Sequence, residues 1–292
     1  VSEELSGALA RTGAARASAL VVDADGVVEV AGDPDERFAL ASVTKLLTAY
    51  AVLIATEERT VDLDEEIGPP GATLRHLLAH ASGLGMENRD RIAAAPGRFR
   101  VYSNAGIELA AALVAERAAI PFATYLDEAV LRPLGMGATT LAGSPARAAV
   151  ASAGDLGRFA RELLAPTLLS AATLRDATAV AFPGLVGVLP GFGRMSPCDW
   201  GLGFELRDHK RPHWTGELCS PESFGHFGQS GTCLVVDPVA GLGVVVLTDR
   251  PFGDAAKSSW PPLIDGAITR HRGAPAVAGT LPPMPPTRIP GR

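Results

Sequence analysis

The chain has 292 residues, 47% hydrophobic and 20% charged, which is enough to bury a sizeable core and excludes a disordered protein. That length suits one large domain or two interleaved subdomains. A formal net charge of −6, with no run of like charge, excludes the basic face of a nucleic-acid-binding protein.

The opening stretch VSEELSGALA has neither a basic n-region nor an apolar h-region. Every apolar run is broken well short of the ~18 residues that a membrane span needs. The expectation is a cytoplasmic chain with no membrane contact. Residues 19–22 and 27–31 are β-rich and flank the turn Asp23-Ala24-Asp25-Gly26, which predicts a hairpin. From 42 to 55 the apolar residues repeat at helical spacing and predict a largely buried helix. Further helices are expected over 73–80, 104–118, 121–131 and 152–164, with Ser152 and Asp155 as a capping box, and Ser170 caps another. The segment 183–197 reads as a long Gly/Pro-rich loop. Strands follow at 200–206, 232–236 and 243–248, then a helix over 260–271 and an extended Pro-rich end. With strands at both ends and helices between, the expected fold is α/β (α+β). It has one antiparallel sheet built from both chain ends, flanked by helices, with a mostly helical insertion. The expected division is a single catalytic domain over 1–273, with sheet parts at about 1–60 and 200–273 and a helical part at 61–199. Residues 274–292 form the tail.

Three segments carry the chemistry. Ser42-Val43-Thr44-Lys45 places a hydroxyl and an amine on one helix face, about 5–6 Å apart at Cβ. The chain has only three lysines, Lys45, Lys210 and Lys257, its other basic residues being arginine. A base that must shed its proton has to be lysine, because arginine stays charged. Burial and the helix dipole both lower an ammonium pKa, so Lys45 can accept the Ser42 proton. The competing reading is that Ser42 caps the helix and Lys45 snorkels outward. Tyr102-Ser103-Asn104 adds a phenol able to shuttle protons and an amide able to orient Lys45 or donate to a substrate carbonyl. A core tyrosine and a helix-capping Asn104 are compatible with those roles. In the Gly-rich Gly225–Gly231 segment, His226, Phe227, Gly228, Gln229 and Ser230 precede a strand, where backbone can approach a ligand closely. The amides of Gln229 and Ser42 then suit an oxyanion hole.

Ser42-x-x-Lys45, Tyr102-x-Asn104 and His226-x-Gly228, in that order, resemble the three motifs of penicillin-recognising serine enzymes. These are the class C β-lactamases, the related DD-peptidases and the family VIII carboxylesterases. LLAHASGL at 77–84 and PGRFRVYSNAG at 96–106 match as well. The resemblance covers about 18–270 and implies the β-lactamase/transpeptidase-like fold and acyl-enzyme chemistry. It implies Ser42 as nucleophile, Lys45 and Tyr102 as base and acid, Asn104 and His226 assisting, and Gln229, Gly228, Phe227 and Ser230 at the substrate. Relatives that bind carboxylate-bearing substrates generally carry a hydroxyl residue where Phe227 stands, so the expected activity is a carboxylesterase acting on a small ester. An acyltransferase, a β-lactamase or DD-peptidase-like amidase, and an inactive binding module of the same fold are the alternatives. No cofactor and no obligate protein partner are expected. His76-x-x-x-His80 and His209-x-x-x-His213 lack the Glu and third ligand of a zinc site, so no metal is expected. Cys198, Cys219 and Cys233 fit no disulfide framework.

Overall fold

The computed structural model describes residues 2–271, so the Pro-rich tail expected from 274 onward lies outside the described residues. In chain order it contains α1 (Glu3–Ala10), β1 (Ala17–Val22), β2 (Val27–Ala31), β3 (Arg37–Ala39), α2 (Thr44–Glu57), α3 (Leu74–Leu78), α4 (Asn104–Ala118) and α5 (Phe122–Leu126). It continues with β4 (Thr140–Leu141), β5 (Ala149–Ser152), α6 (Ala153–Leu164), α7 (Ala171–Ala177), β6 (Gly187–Leu189), β7 (Gly193–Met195) and β8 (Glu205–Leu206). It closes with β9 (Phe224–Gly228), β10 (Thr232–Asp237), β11 (Leu242–Thr248) and α8 (Asp254–His271). The main sheet has the order β2-β1-β11-β10-β9-β8, so strands from both chain ends interleave in one sheet. Its pairs are antiparallel, with Leu20 opposite Val245 and Leu234 opposite His226.

Alternation along the strands divides the apolar residues between two cores. Leu20, Val22, Leu234, Val236, Val245 and Leu247 face α2 and α6 and join the larger core with the helical insertion. Ala19, Val21, Cys233, Val244 and Val246 face the other way, onto α1 and α8. All three cysteines are free and buried. Among the described residues, no single helix is long and apolar enough to cross a membrane.

Five elements differ from the sequence expectation. Helix α1 was not anticipated, although its signals are present: Ser2 accepts from the Leu5 N–H as N-cap, and Glu3 and Glu4 occupy the first turn. The strand expected over 200–206 shrinks to Glu205–Leu206, because the Gly201 N–H bonds the Phe204 carbonyl and folds 201–204 into a turn. The expected loop at 183–197 contains the β6–β7 hairpin, which buries Leu189 and Met195. Helix α8 begins at Asp254 and runs through Pro261 and Pro262 rather than starting near them. Segment 224–228, expected only as a Gly-rich stretch leading into a strand, is itself strand β9, since β8 and β10 pair with it on both sides.

Gly228 fixes where β9 meets the turn before α2. A Cβ there would overlap the Leu40 carbonyl oxygen and crowd Thr232 Oγ1 and Ala41. We expect Gly228→Ala to force β9 away from the Ser42 turn and to cost about 1–3 kcal/mol, read from the urea midpoint.

Candidate active site

Ser42 lies in a 3₁₀ turn, Ala41–Val43, that runs directly into α2. Ala41, just before it, has φ +45°, a left-handed conformation that is unfavourable for alanine and holds the turn in a sharp bend. Helix α2 is buried from Thr44 through Ala55, so it carries Lys45 into the interior. The Lys45 amine donates to Ser42 Oγ at 3.1 Å and to the Ala146 carbonyl at 2.9 Å, and lies 4.9 Å from the centre of the Tyr102 ring. Burial lowers the Lys45 pKa to about 7; Glu87 and Glu108 pull it back up, and Arg147 pushes it further down. The structure therefore rejects outward snorkelling: the amine is buried and bonded to Ser42.

Tyr102 stands at the entrance to α4, its hydroxyl 3.3 Å from His226 Nε2. His226 Nδ1 lies 2.7 Å from the Phe227 carbonyl, which can only accept, so Nδ1 carries the proton and Nε2 accepts from Tyr102. Burial, with the nearby Lys45 charge, brings His226 down to about 3, so this imidazole is neutral. Burial pushes the Tyr102 phenol up, only partly offset by the Ser42 hydroxyl. Tyr102 therefore rests as a neutral phenol that can pass a proton on.

Asn104 occupies a different place from the one expected. Its Nδ2 donates to Glu87 Oε1 at 2.6 Å rather than bonding Lys45, and Glu87 in turn meets Arg147 at 2.5 Å. Burial would raise the Glu87 carboxyl, but the hydrogen bonds from Arg147 and Asn104 hold it below its usual range. Asn104 Oδ1 is buried without a partner. Neither Glu87 nor Arg147 was legible beforehand, since both lie in segments with no periodic or motif signal. His80, within LLAHASGL, is likewise structural to the site: its Nδ1 accepts from the Ser103 N–H and its ring lies 4.6 Å from that of Tyr102.

Ser42, Tyr102, His226, Phe227 and Gln229 line one narrow cavity of about 40 Å³, closed by Met86, Leu189, Pro190 and Trp200. β8 pairs only with Phe224 and Gly225, so the 226–228 end of β9 is a free edge along this cavity. The Phe227 ring is buried among Trp214, Phe252 and Trp260, with its centre 4.5 Å from that of Phe252. It therefore withholds a hydroxyl from the cavity without projecting freely into it. Ser230 is not among the residues lining this cavity, and its hydroxyl donates to the Ala39 carbonyl at 2.6 Å. The histidines set aside as metal ligands have other partners: His76 completes the cap of α3 with Thr73, and His213 meets Glu205 at 2.9 Å.

The pattern of the beta-lactamase family matches residues 3–267. The chain belongs to the beta-lactamase family. That membership indicates a serine hydrolase acting on ester or amide bonds. A beta-lactamase from Mycobacterium bovis is 49% identical, with a TM-score of 0.89 over 91% of this chain and 99% of that one. Simvastatin synthase (LovD) from Aspergillus terreus shares the fold, with a TM-score of 0.77 at 17% identity over 94% of this chain and all of that one. The D-alanyl-D-alanine-carboxypeptidase/endopeptidase AmpH of Escherichia coli is 29% identical over 147 residues, covering 38% of each chain. The match thus spans well under two thirds of that relative's length.

Two outcomes follow from the buried amine. The unfolded chain binds the Lys45 proton up to about pH 10.5 and the folded chain only to about pH 7, so the burial penalty is full below pH 7 and fades toward pH 10.5. We expect Lys45→Met to raise stability at pH 7 by about 1–2 kcal/mol, with the gain shrinking toward pH 10, measured by thermal melts across that range. Glu87→Gln removes a charge that raises the Lys45 pKa, so the pH midpoint of Ser42 reactivity should move down.

Proposed function

We propose that the protein is a serine hydrolase that forms an acyl-enzyme on Ser42 and that its substrate is a small carboxylic ester. The observation that carries this reading is Ser42 Oγ at 3.1 Å from a buried amine whose pKa is about 7, so that much of the protein holds a free base at neutral pH. Ser42 Oγ attacks the ester carbonyl while its proton moves to Lys45 Nζ. The Ser42 and Gln229 amides stabilise the resulting oxyanion, a contribution of about 10²–10³ in rate. The alkoxide leaves with a proton delivered from Lys45 through Tyr102, and His226 Nε2 holds the phenol in line. Water then attacks the acyl-enzyme with the proton path reversed, releasing the carboxylic acid and restoring Ser42.

The preference for an ester rests on what the cavity withholds from a carboxylate. Phe227 supplies no hydroxyl, the Ser230 hydroxyl is bonded to Ala39, and Arg147 is paired with Glu87. The walls at Met86, Leu189, Pro190 and Trp200 are largely apolar. A second reading, β-lactam hydrolysis, is favoured by the 49% identical beta-lactamase.

A fluorophosphonate probe should add one adduct by intact mass, absent in Ser42→Ala, with labelling that falls about tenfold per pH unit below pH 7. An unlabelled wild type that also fails to cleave p-nitrophenyl acetate would point to a binding module instead. Turnover of p-nitrophenyl acetate should exceed that of nitrocefin, and the reverse ranking would replace the ester with the β-lactam.

A further inference from the structure

A groove of about 540 Å³ opens from the Ser42 cavity, with Met86, Tyr102 and Pro190 lining both. Its two sides are segment 99–101 and the β6–β7 hairpin. They are joined at the floor by the Arg100 N–H donating to the Val186 carbonyl at 2.9 Å and by a bridge between Arg100 and Gly187. A Cβ on Gly187 would stand 2.5 Å from Arg100 Cβ, so the floor closes only around glycine. The Arg100 guanidinium is bonded elsewhere, to the carbonyls of Cys198, Ala79 and Ala181. What the groove presents is therefore apolar, chiefly Phe99, Val101 and Val188, with Arg194 opposite Val188 at the rim.

Met86, Phe99 and Val188 are 51%, 50% and 59% exposed, and these three large hydrophobic side chains converge on one groove. A contiguous exposed apolar surface of this kind marks a binding site. Its volume lies within the ~300–1,000 Å³ of small-molecule sites, and its continuity with the Ser42 cavity identifies what occupies it. We propose that the groove binds the hydrocarbon arm of the substrate ester, making the natural substrate one with an extended acyl or alkyl chain rather than an acetyl group on a small alcohol. The inference rests on the serine-hydrolase reading and deepens it. An arm that leaves a carbonyl at Ser42 passes between Met86 and Tyr102 and loses water along Phe99 and Val188. The backbone bridge at Arg100 keeps the walls in place before the substrate arrives.

The test runs two ester series, p-nitrophenyl acetate to hexanoate and ethyl to hexyl acetate, on the wild type and Val188→Asp. In the series whose arm occupies the groove, kcat/KM should climb about two- to fourfold per methylene, as burial of each CH₂ implies. Val188→Asp should flatten that climb while leaving fluorophosphonate labelling and turnover of the shortest ester of that series unchanged. Which series climbs tells the acyl arm from the alkyl arm. Flat profiles in both, or a climb that survives Val188→Asp, would overturn the proposal. Calorimetric titration of Ser42→Ala with the same p-nitrophenyl and alkyl esters gives a readout independent of turnover. Kd should fall with chain length in one series, and length-independent Kd in both overturns the groove. Loss of fluorophosphonate labelling in the wild type, by contrast, counts against the serine-hydrolase reading alone.

Discussion

A buried amine with no carboxylate paired to it among the described residues is the constraint around which this molecule is arranged. Lys45 sits in a helix whose residues are buried for three turns, its Nζ held by one hydroxyl and one carbonyl under the Tyr102 ring. Removing an ammonium from water is costly, so its pKa falls until the neutral form is accessible near pH 7. The same dry surroundings keep Tyr102 protonated and His226 neutral, which leaves Lys45 as the group that can take a proton from Ser42. Glu87 counters the effect from outside, tied to Asn104 and Arg147 at a distance that modulates the amine without neutralising it.

The scaffold keeps these groups aligned by packing. Ser42 is held in its bend by the positive φ of Ala41 and by β9, which Gly228 lets approach the Leu40 carbonyl. Behind the cavity wall lies a second buried polar cluster. Glu205 accepts from Lys210, from Trp214 Nε1 at 2.8 Å and from His213, and these contacts hold its carboxyl at about 2 against the opposing pull of burial. Lys210 lies 5.9 Å from the Trp200 ring and Trp214 lies 5.8 Å from Phe227. The wall residues of the cavity thus rest on a satisfied network, the condition under which buried polar groups rigidify a core.

Helix and strand periodicity made most of the framework legible. The hairpin β1–β2, helices α4 and α6 and strands β10 and β11 follow from local pattern, because the helices repeat apolar residues at helical spacing and the strands are short β-rich apolar runs bounded by turns. The elements that escaped were those whose conformation is set by distant partners. β9 carries two glycines and gains strand geometry only by pairing with β8 and β10. The β6–β7 hairpin is too short to show a period, and its floor is a backbone contact with Arg100.

At the site, the order of Ser42-x-x-Lys45, Tyr102-x-Asn104 and His226-x-Gly228 determined which residues meet, because chemistry of this kind needs particular side chains at particular spacings. The hydrogen-bond partners were decided only by the fold. Asn104 turned to Glu87, Ser230 to Ala39 and the Phe227 ring into the second core, each by contacts between residues far apart in the chain. Local sequence encodes which groups are present and which face they share. Burial, tautomer and charge state depend on what surrounds them, and those surroundings exist only once both chain ends have closed around the helical insertion.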